Sequence, residues 1–558
     1  MKRYLIILAA LVSLSSCEDF LSIEPQGQIN TSNYYDSDEN AETAVNALYD
    51  LLGQSEGSAP DNQWLSHHYE FFFGSMTSDD SEKGSKASDM TKLTQLIGWD
   101  FDASFTDVSD PFWIHGFWGV SRANGVIDGI NASESLTPEL QERYLGEAYF
   151  MRAYYYYYLA RHFGGVPLFS TTPSTSDYGN VSRATLGETL DFIAADFRTA
   201  IDKLPLRSAY ATTDIGRATK GAAESFLARV LMYQAGVDAN ADEAELWQEI
   251  YEVTNDVITS GEYSLVANFG TMFEAGSKNT SESIFEIQSY ANGSEYQPAS
   301  TGTGYCNFQA NRVATGTNNT GWGFNNPCEN LREAFDSTDP RLSCTIYGIG
   351  YNGGILYGEV QTYDRAEMSS NYLNRKAALQ TTPSLAKSAE FNVILMRLAD
   401  VYLMRAEAAY HIGNEGQAKI DVNTVRARAR SSALCKGFNE GDADAYPYPI
   451  ETVNLPDITS SGTTLLEAIW KERRLELAME SLRTWDLIRT GQFYDVIEQV
   501  KDLDRADNTA DDETRYEGVR ANALKHSLGT EHGVKVSVPV LTIPNTEVTA
   551  WGMEQNPM

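Results

Sequence analysis

Between Asn40 and Leu52 the apolar residues Ala44, Val45, Leu48 and Leu52 recur at the three-and-four spacing of a helix with one buried face. The same period returns further along, and local punctuation marks where helices start and stop. A helix is predicted to open at Asp110-Pro111, an acidic cap followed by proline in the first turn. A second opens at Thr137-Pro138 and ends before Gly164-Gly165. Helical patterns recur at about 184–203, 217–235 and 243–259, whereas 53–109 shows no clear period. Ser283-Ile284-Phe285-Glu286-Ile287-Gln288 alternates as a strand does. The stretch 289–327, rich in Gly, Asn and Thr, has no period and predicts a long loop, which inside a compact domain is a functional suspect.

Helices resume from Phe391. Ala406-Glu407-Ala408 on one helix, Gly413 at a turn and Ala418 on the next would let two antiparallel helices approach closely. The arrangement resembles a tetratricopeptide hairpin, although the full consensus is not met. Asn414 with Gln417 predicts a cap, and Thr464 with Glu467 a capping box for a helix reaching about Glu480. Glu472, Arg473, Glu476, Glu480 and Arg483 fall at offsets of three and four, which predicts structural ion pairs along one helix face.

The N-terminus reads as an address. Lys2 and Arg3 precede an apolar run from Tyr4 to Leu14, then Ser15, Ser16 and Cys17, the layout of an export signal. The run is shorter than the about 20 apolar residues a membrane-spanning helix needs. Leu14-Ser15-Ser16-Cys17 resembles a bacterial lipobox, which makes Cys17 the acylated first residue of the processed chain, and Glu18-Asp19 resembles an export tag for the outer face of the outer membrane. The expected organisation is a signal peptide over 1–16, a lipidated tether over 17–35, and a single domain over 36–558, with an N-terminal part to about 260 and a C-terminal part from about 261.

Charge narrows the partners. The formal charge is −35, and losing Lys2 and Arg3 with the leader takes it to −37, so nucleic acid and anionic headgroups are poor partners. Hydrophobic residues make up 42% of 558, ample for a large core. Besides Cys17, the chain has Cys306, Cys328, Cys344 and Cys435, with no C-x-x-C spacing; a Cys306–Cys328 bridge stays open.

Catalytic and metal motifs give little. Gly53-Gln54-Ser55-Glu56-Gly57 matches G-x-S-x-G, but a helix precedes it where the nucleophile elbow needs a strand, and Pro60 soon follows. No H-E-x-x-H and no Walker loop occur, and His67-His68 lie in an aromatic stretch where packing accounts for them equally well. Asp502, Asp504, Asp507, Asp511 and Asp512 could hold a structural Ca²⁺, but they lack the EF-hand glycine, and a solvated acidic loop is the favoured reading. No cofactor is expected. Among 77 acidic residues no pair singles itself out for glycoside hydrolysis.

Aromatic rings in loops are more informative, because a sugar binds its C–H face flat on an aromatic ring while neighbouring polar groups fix its hydroxyls. Tyr290, Tyr296, Tyr305, Phe308, Trp322 and Phe324 lie in the 289–327 stretch, and Trp64, Trp99, Asp79 and Asp80 in the early one. Tyr154 to Tyr158 instead run consecutively around a helix, where packing is expected.

Residues 146–168 (GEAYFMRAYYYYYLARHFGGVPL), 217–233 (RATKGAAESFLARVLMY), 396–429 (MRLADVYLMRAEAAYHIGNEGQAKIDVNTVRARA), 468–491 (AIWKERRLELAMESLRTWDLIRTG) and 543–548 (IPNTEV) resemble, in order, the signature segments of the SusD/RagB family. The resemblance implies a mostly α fold: a tetratricopeptide-like helical-repeat scaffold with large loop insertions and a few short strands. It also implies a cell-surface protein, not an enzyme, that captures an oligosaccharide or polysaccharide and delivers it to a SusC-like TonB-dependent β-barrel. A RagB-like peptide-binding subunit and, further off, a surface glycoside hydrolase are the alternatives. The family commonly has Gly and an aromatic where this chain has Ser481 and Thr484. It also commonly takes a site aromatic from just before Leu331-Arg332-Glu333-Ala334-Phe335-Asp336, which points to Trp322.

Overall fold

The computed structural model describes residues 34–53, 73–85, 88–98, 106–174, 177, 182–274, 276–290, 303–312, 321–348, 355–356, 359–360, 372–379, 390–432, 452–497 and 538–556. The described part of the chain begins with the helices α1 (Asp38–Gly53), α2 (Thr91–Gly98), α3 (Thr106–Ala132), α4 (Pro138–Phe163), α5 (Leu186–Lys203), α6 (Lys220–Val237) and α7 (Glu243–Thr259). From α3 onward each packs on the next in the chain. The order is then interrupted by an excursion over 260–397, after which α7 packs on α11 (Leu398–His411) and α11 on α12 (Glu415–Ser431). The result is a tetratricopeptide-like ladder, mostly α, with the non-helical segments set into it.

Local chemistry accounts for the helix ends. Thr137 caps α4 with Pro138 in the first turn, and its N–H and Oγ1 donate to the Asp38 carboxylate at 2.9 and 2.7 Å, tying α4 to the start of α1. Asn414 accepts from the Gln417 N–H at 3.2 Å, as expected for α12. Two boundaries differ from expectation. Helix α3 starts at Thr106 and carries Pro111 inside it, near enough to the N-terminus to cost only one backbone bond. Helix α13 (Thr463–Glu476) is capped by Gly462 at φ +61°, which places Thr464 inside the first turn and leaves no capping box.

Helix α4 is covered by α1, α3, α5 and α6, so all five consecutive tyrosines, Tyr154 to Tyr158, are buried. A phenol survives burial when its hydroxyl is bonded. Tyr155 donates to the Leu48 carbonyl (3.0 Å), and the Tyr156 hydroxyl accepts from the Phe169 N–H (2.7 Å). Phe150, Phe197, Phe226 and Phe285 meet edge-on or stacked at centroid distances of 5.0–6.0 Å beneath them. One apolar cluster runs from Ala41 to Met553, so the parts before and after residue 260 share a core.

The strands are short and antiparallel: β1 (Ser81–Gly84) with β3 (Phe324–Pro327), β2 (Ser283–Ile287) with β8 (Val393–Arg397), β4 (Ile346–Gly348) with β7 (Tyr372–Asn374), and β5 (Ile355–Leu356) with β6 (Glu359–Val360). The expected strand at 283–288 is present, buried on both faces because α1 and α6 pack on it. Stretch 289–327 is not loop throughout: it holds α8 (Tyr305–Gln309) and β3. Cys306, Cys328 and Cys344 are buried and form no disulfide, so the Cys306–Cys328 bridge is absent. Cys435, the acidic run 502–512, His67-His68 and Cys17 lie outside the described residues. Among the described residues, no helix is long and apolar enough to cross a membrane.

The expected ion pairs along one helix face are replaced by something denser. Helix α13 stops at Glu476, and the chain turns through Met479 and Ser481, both at φ above +60°, before α14 (Arg483–Arg489). The acidic residues therefore point at other elements. Glu476 receives Arg341, from α10 (Pro340–Thr345), at 2.9 Å and Arg397 at 2.5 Å, together with Arg428. Glu472 pairs with Arg341 and Arg426 at 2.7 and 2.6 Å, and Glu480 with Lys376 and Arg397 at 2.6 and 2.8 Å. Arg473 joins Asp486 at 2.8 Å as well as Asp400. Burial alone would raise Glu476, but Arg428, Arg397 and Arg341 outweigh it and hold the carboxyl well below its usual range.

Candidate functional site

The two suspect stretches meet in one ladder. β1 follows directly on Asp80, and Ser81, Glu82 and Gly84 face Pro327, Asn326 and Phe324 of β3. Gly84 sits at φ +70°, and a Cβ there would come within 2.2 Å of the Gly323 carbonyl, so only glycine lets the strands approach this closely. The Ser85 N–H then donates to that carbonyl at 2.7 Å.

Trp322 stands at the entry to β3 between Gly321 and Gly323, and this segment is tightly held. The N–H groups of Gly321, Trp322 and Gly323 donate to the carbonyls of Asn311, Asn307 and Ala310 at 2.7, 2.8 and 2.9 Å, binding the segment to α8 and the two residues after it. A Cβ on Gly321 would lie 2.2 Å from the Asn307 carbonyl, so this glycine serves close approach, not mobility. The indole is half-buried against the main core. The Arg312 guanidinium lies 5.6 Å from the ring centroid and is itself fixed by Asp89 at 2.6 Å and the Ser85 hydroxyl at 3.1 Å. A half-buried ring with a held guanidinium–carboxylate pair over it puts aromatic surface next to polar groups, the combination that suits a sugar.

Other expected contacts are redistributed. Phe324 is buried in β3, tilted on Phe308 at 6.2 Å with Lys83 Nζ 5.8 Å from its ring, so it is core and not platform. Tyr305 and Phe308 are buried too, Tyr305 stacking on Phe391 at 5.9 Å. Asp79 and Asp80, expected on an exposed loop, are buried against α13 and α14. Arg483 Nε donates to Asp79 at 2.8 Å, and Arg474 pairs with Asp79 and Asp80 at 2.9 and 2.8 Å. Burial would lift Asp79, but Arg474 and Arg483 bring it to about 2; burial prevails at Asp80, which is raised, with Asp79 adding to the effect. Two guanidinium groups stand where solvent was expected, so these carboxylates are structural. Tyr290 is 65% exposed, just beyond β2. Trp64, Trp99 and Tyr296 lie outside the described residues.

The structure also gathers rings that sequence reasoning read only as helix. Trp113, Phe117 and Trp118 of α3, Phe169, and Trp551 of α15 (Asn545–Trp551) wall a hollow of about 420 Å³. The i, i+4, i+5 spacing of the α3 aromatics was the available signal, but it describes a buried helix face equally well. No group of three or more His, Cys, Asp or Glu is placed to hold a metal ion among the described residues.

Comparison with known proteins agrees with this architecture. The family model SusD-like_3, described as "Starch-binding associating with outer membrane", matches residues 19–232, and SusD_RagB, described as "SusD family", matches 281–558. SusD-like protein P38 of Formosa agariphila is 25% identical over 530 residues, covering 89% of this chain and 93% of its own. A SusD homologue from Bacteroides thetaiotaomicron superposes with a TM-score of 0.73 at 21% identity, covering 94% of this chain and 98% of its own. Surface glycan-binding protein A of the same species, in complex with laminarihexaose, superposes at 0.71 and 21% identity, covering 93% and 99%. With two family models spanning most of its length in the expected order, the chain belongs to the SusD/RagB family.

Proposed function

We propose that this protein is a non-enzymatic, lipid-anchored glycan-binding subunit on the cell surface, which captures an oligosaccharide or polysaccharide and passes it to a SusC-like TonB-dependent barrel in the outer membrane. Family membership supports the ligand class, as does the likeness to a surface glycan-binding protein in complex with laminarihexaose. The observation that carries the reading is Trp322: a half-buried ring on a fully hydrogen-bonded support, beside the Arg312–Asp89 pair. Ligand transfer asks for weak binding, with a dissociation constant on the order of micromolar to millimolar. Against so small a total, losing one stacking ring worth about 2 kcal/mol weakens binding about thirty-fold.

Calorimetry of the full chain against a panel of oligosaccharides that includes laminarihexaose, repeated with Trp322→Ala and Trp322→Phe, tests the platform. The alanine variant loses binding and the phenylalanine variant keeps most of it; equal affinity in all three removes Trp322 from the site. Release of shorter products from polysaccharide would overturn the non-enzymatic reading. Cys17→Ala is expected to abolish acylation and surface retention, and mild detergent extraction to recover the wild type with a β-barrel.

A further inference from the structure

A second concave site lies on the far side of the Asp79–Asp80 ion cluster. A cleft of about 610 Å³, within the roughly 300–1,000 Å³ range of small-ligand pockets, opens between α9 (Glu329–Ala334), α13 and Gln492. Trp470 contributes its one aromatic ring. The indole is half-buried, and its Nε1–H is committed to Glu407 at 2.8 Å, so the ring is anchored by its edge to the neighbouring helix.

The polar groups around that ring select the class of ligand. Lys471 and the guanidinium groups of Arg474 and Arg483 bring positive charge, Glu333 and Glu467 negative charge, and Asn330 and Gln492 amides. An anion would face two carboxylates, and a cation three positive groups. An apolar ligand would strip water from all of them without replacing its hydrogen bonds. A neutral polyol fits, because each hydroxyl both donates and accepts and can satisfy the two kinds of group in turn. The wall is also set in advance. Arg474 and Arg483 are held by Asp79 and Asp80, and the Asn330 amide donates to Asp79 at 3.2 Å, so little side-chain freedom is left to lose on binding.

We propose that the cleft between α9 and α13 is a second saccharide site, in which a neutral sugar ring stacks on Trp470 while Lys471, Glu467 and the flanking amides take its hydroxyls. The inference rests on the glycan-binding reading for its ligand class but not for its residues. The two sites share one joint: Asp79 and Asp80 hold the arginines that line this cleft and lead directly into β1, whose partner β3 begins beside Trp322. A glycan chain engaging both would bind more tightly than either site alone, since the second contact is intramolecular.

The test is hydroxyl-radical footprinting of the full chain, read by mass spectrometry, with laminarihexaose, cellohexaose, maltohexaose and xylohexaose as probes, alongside titrations of Trp470→Ala and Lys471→Ala. Lys471 is exposed, so its variant keeps the test valid where loss of the Trp470–Glu407 bond disturbs folding. The expected result is saturable protection of Trp470 by a probe that binds the wild type, and roughly tenfold weaker binding at this site in both variants while Trp322 stays protected. If a probe binds but leaves Trp470 unprotected and both variants titrate as wild type, the second site is overturned and the Trp322 site stands. If no probe binds the wild type, the glycan-binding reading falls and takes this site with it.

Discussion

The helical ladder around α4 and the region where α10, α13 and α14 meet are both buried, and they differ in what dominates the interior. Around α4, tyrosine and phenylalanine rings interlock, and the attraction is spread over many weak contacts. Around α13 the interior is ionic: Glu476 alone serves three arginines, and Arg341 and Arg397 are fully enclosed. Ring packing tolerates small misfits, because neighbours shift and most of the area stays covered. A buried charge tolerates none, because the partner left behind keeps its desolvation cost.

The comparison is broken most directly by an isosteric change. Glu476→Gln keeps shape and removes the charge that three guanidinium groups share, and should cost about 3–5 kcal/mol in chemical denaturation; a loss below 1 kcal/mol would show that the network is not held by charge. Next comes Glu224 in the ring-packed half, a buried carboxylate whose salt-bridge partner among the described residues is Lys220 at 3.8 Å. Burial raises it to about 7, against the pull of Lys220. A carboxyl whose folded value lies above its unfolded one stabilises below the unfolded value, and that contribution is lost as pH rises through 7. Glu224→Gln should therefore match the wild type at pH 4 and exceed it by about 2–3 kcal/mol at pH 8; parallel pH profiles would refute this. Asp79, held at about 2, has the opposite sign: its stabilisation is present above about 4 and fades as pH falls toward 2.

A smaller effect is expected from Phe226→Leu, a conservative change among the rings, at about 1–1.5 kcal/mol. If it costs as much as Glu476→Gln, the distinction between the two regions fails. Smallest, and of opposite sign, is Ser481→Gly. Ser481 sits at φ +62°, where glycine is favoured, so the substitution should raise stability by about 0.5–1 kcal/mol in the thermal melt. The glycine commonly found at this point in the family has its physical reason in that backbone angle, and a lower melting temperature would show that the serine side chain more than compensates for the strain.

What the sequence made legible follows the same division. Helices from 137 to 259 were readable because caps, prolines and glycines mark their ends, and the tyrosine run was readable as packing. Helix Tyr305–Gln309 and strand Phe324–Pro327 were not, since elements this short carry no period and are held by hydrogen bonds to distant segments. Asp79 and Asp80 looked solvent-facing because their partners Arg474 and Arg483 lie 394 and 404 residues away, beyond any local pattern. Trp322 was legible only through the family resemblance, whereas the role of Gly321 beside it, close backbone approach, is set by the carbonyl of Asn307 and has no local sequence mark.

Those separations also set the order of assembly. Residues 73–80 meet several of their partners only at 474–485: Phe73 stacks on Trp485 at 5.1 Å, the Thr77 hydroxyl meets that of Thr484 at 2.8 Å, and Asp79 and Asp80 pair with Arg474. A chain emerging N-terminus first leaves these contacts unmade until nearly all of the protein has been delivered. Contacts of such high order close late and slowly. The bed under Trp322 is made of nearby residues and can form early, but the carboxylates that lead into β1 gain their arginines only at the end, so the ladder beside that ring is completed with the last of the fold.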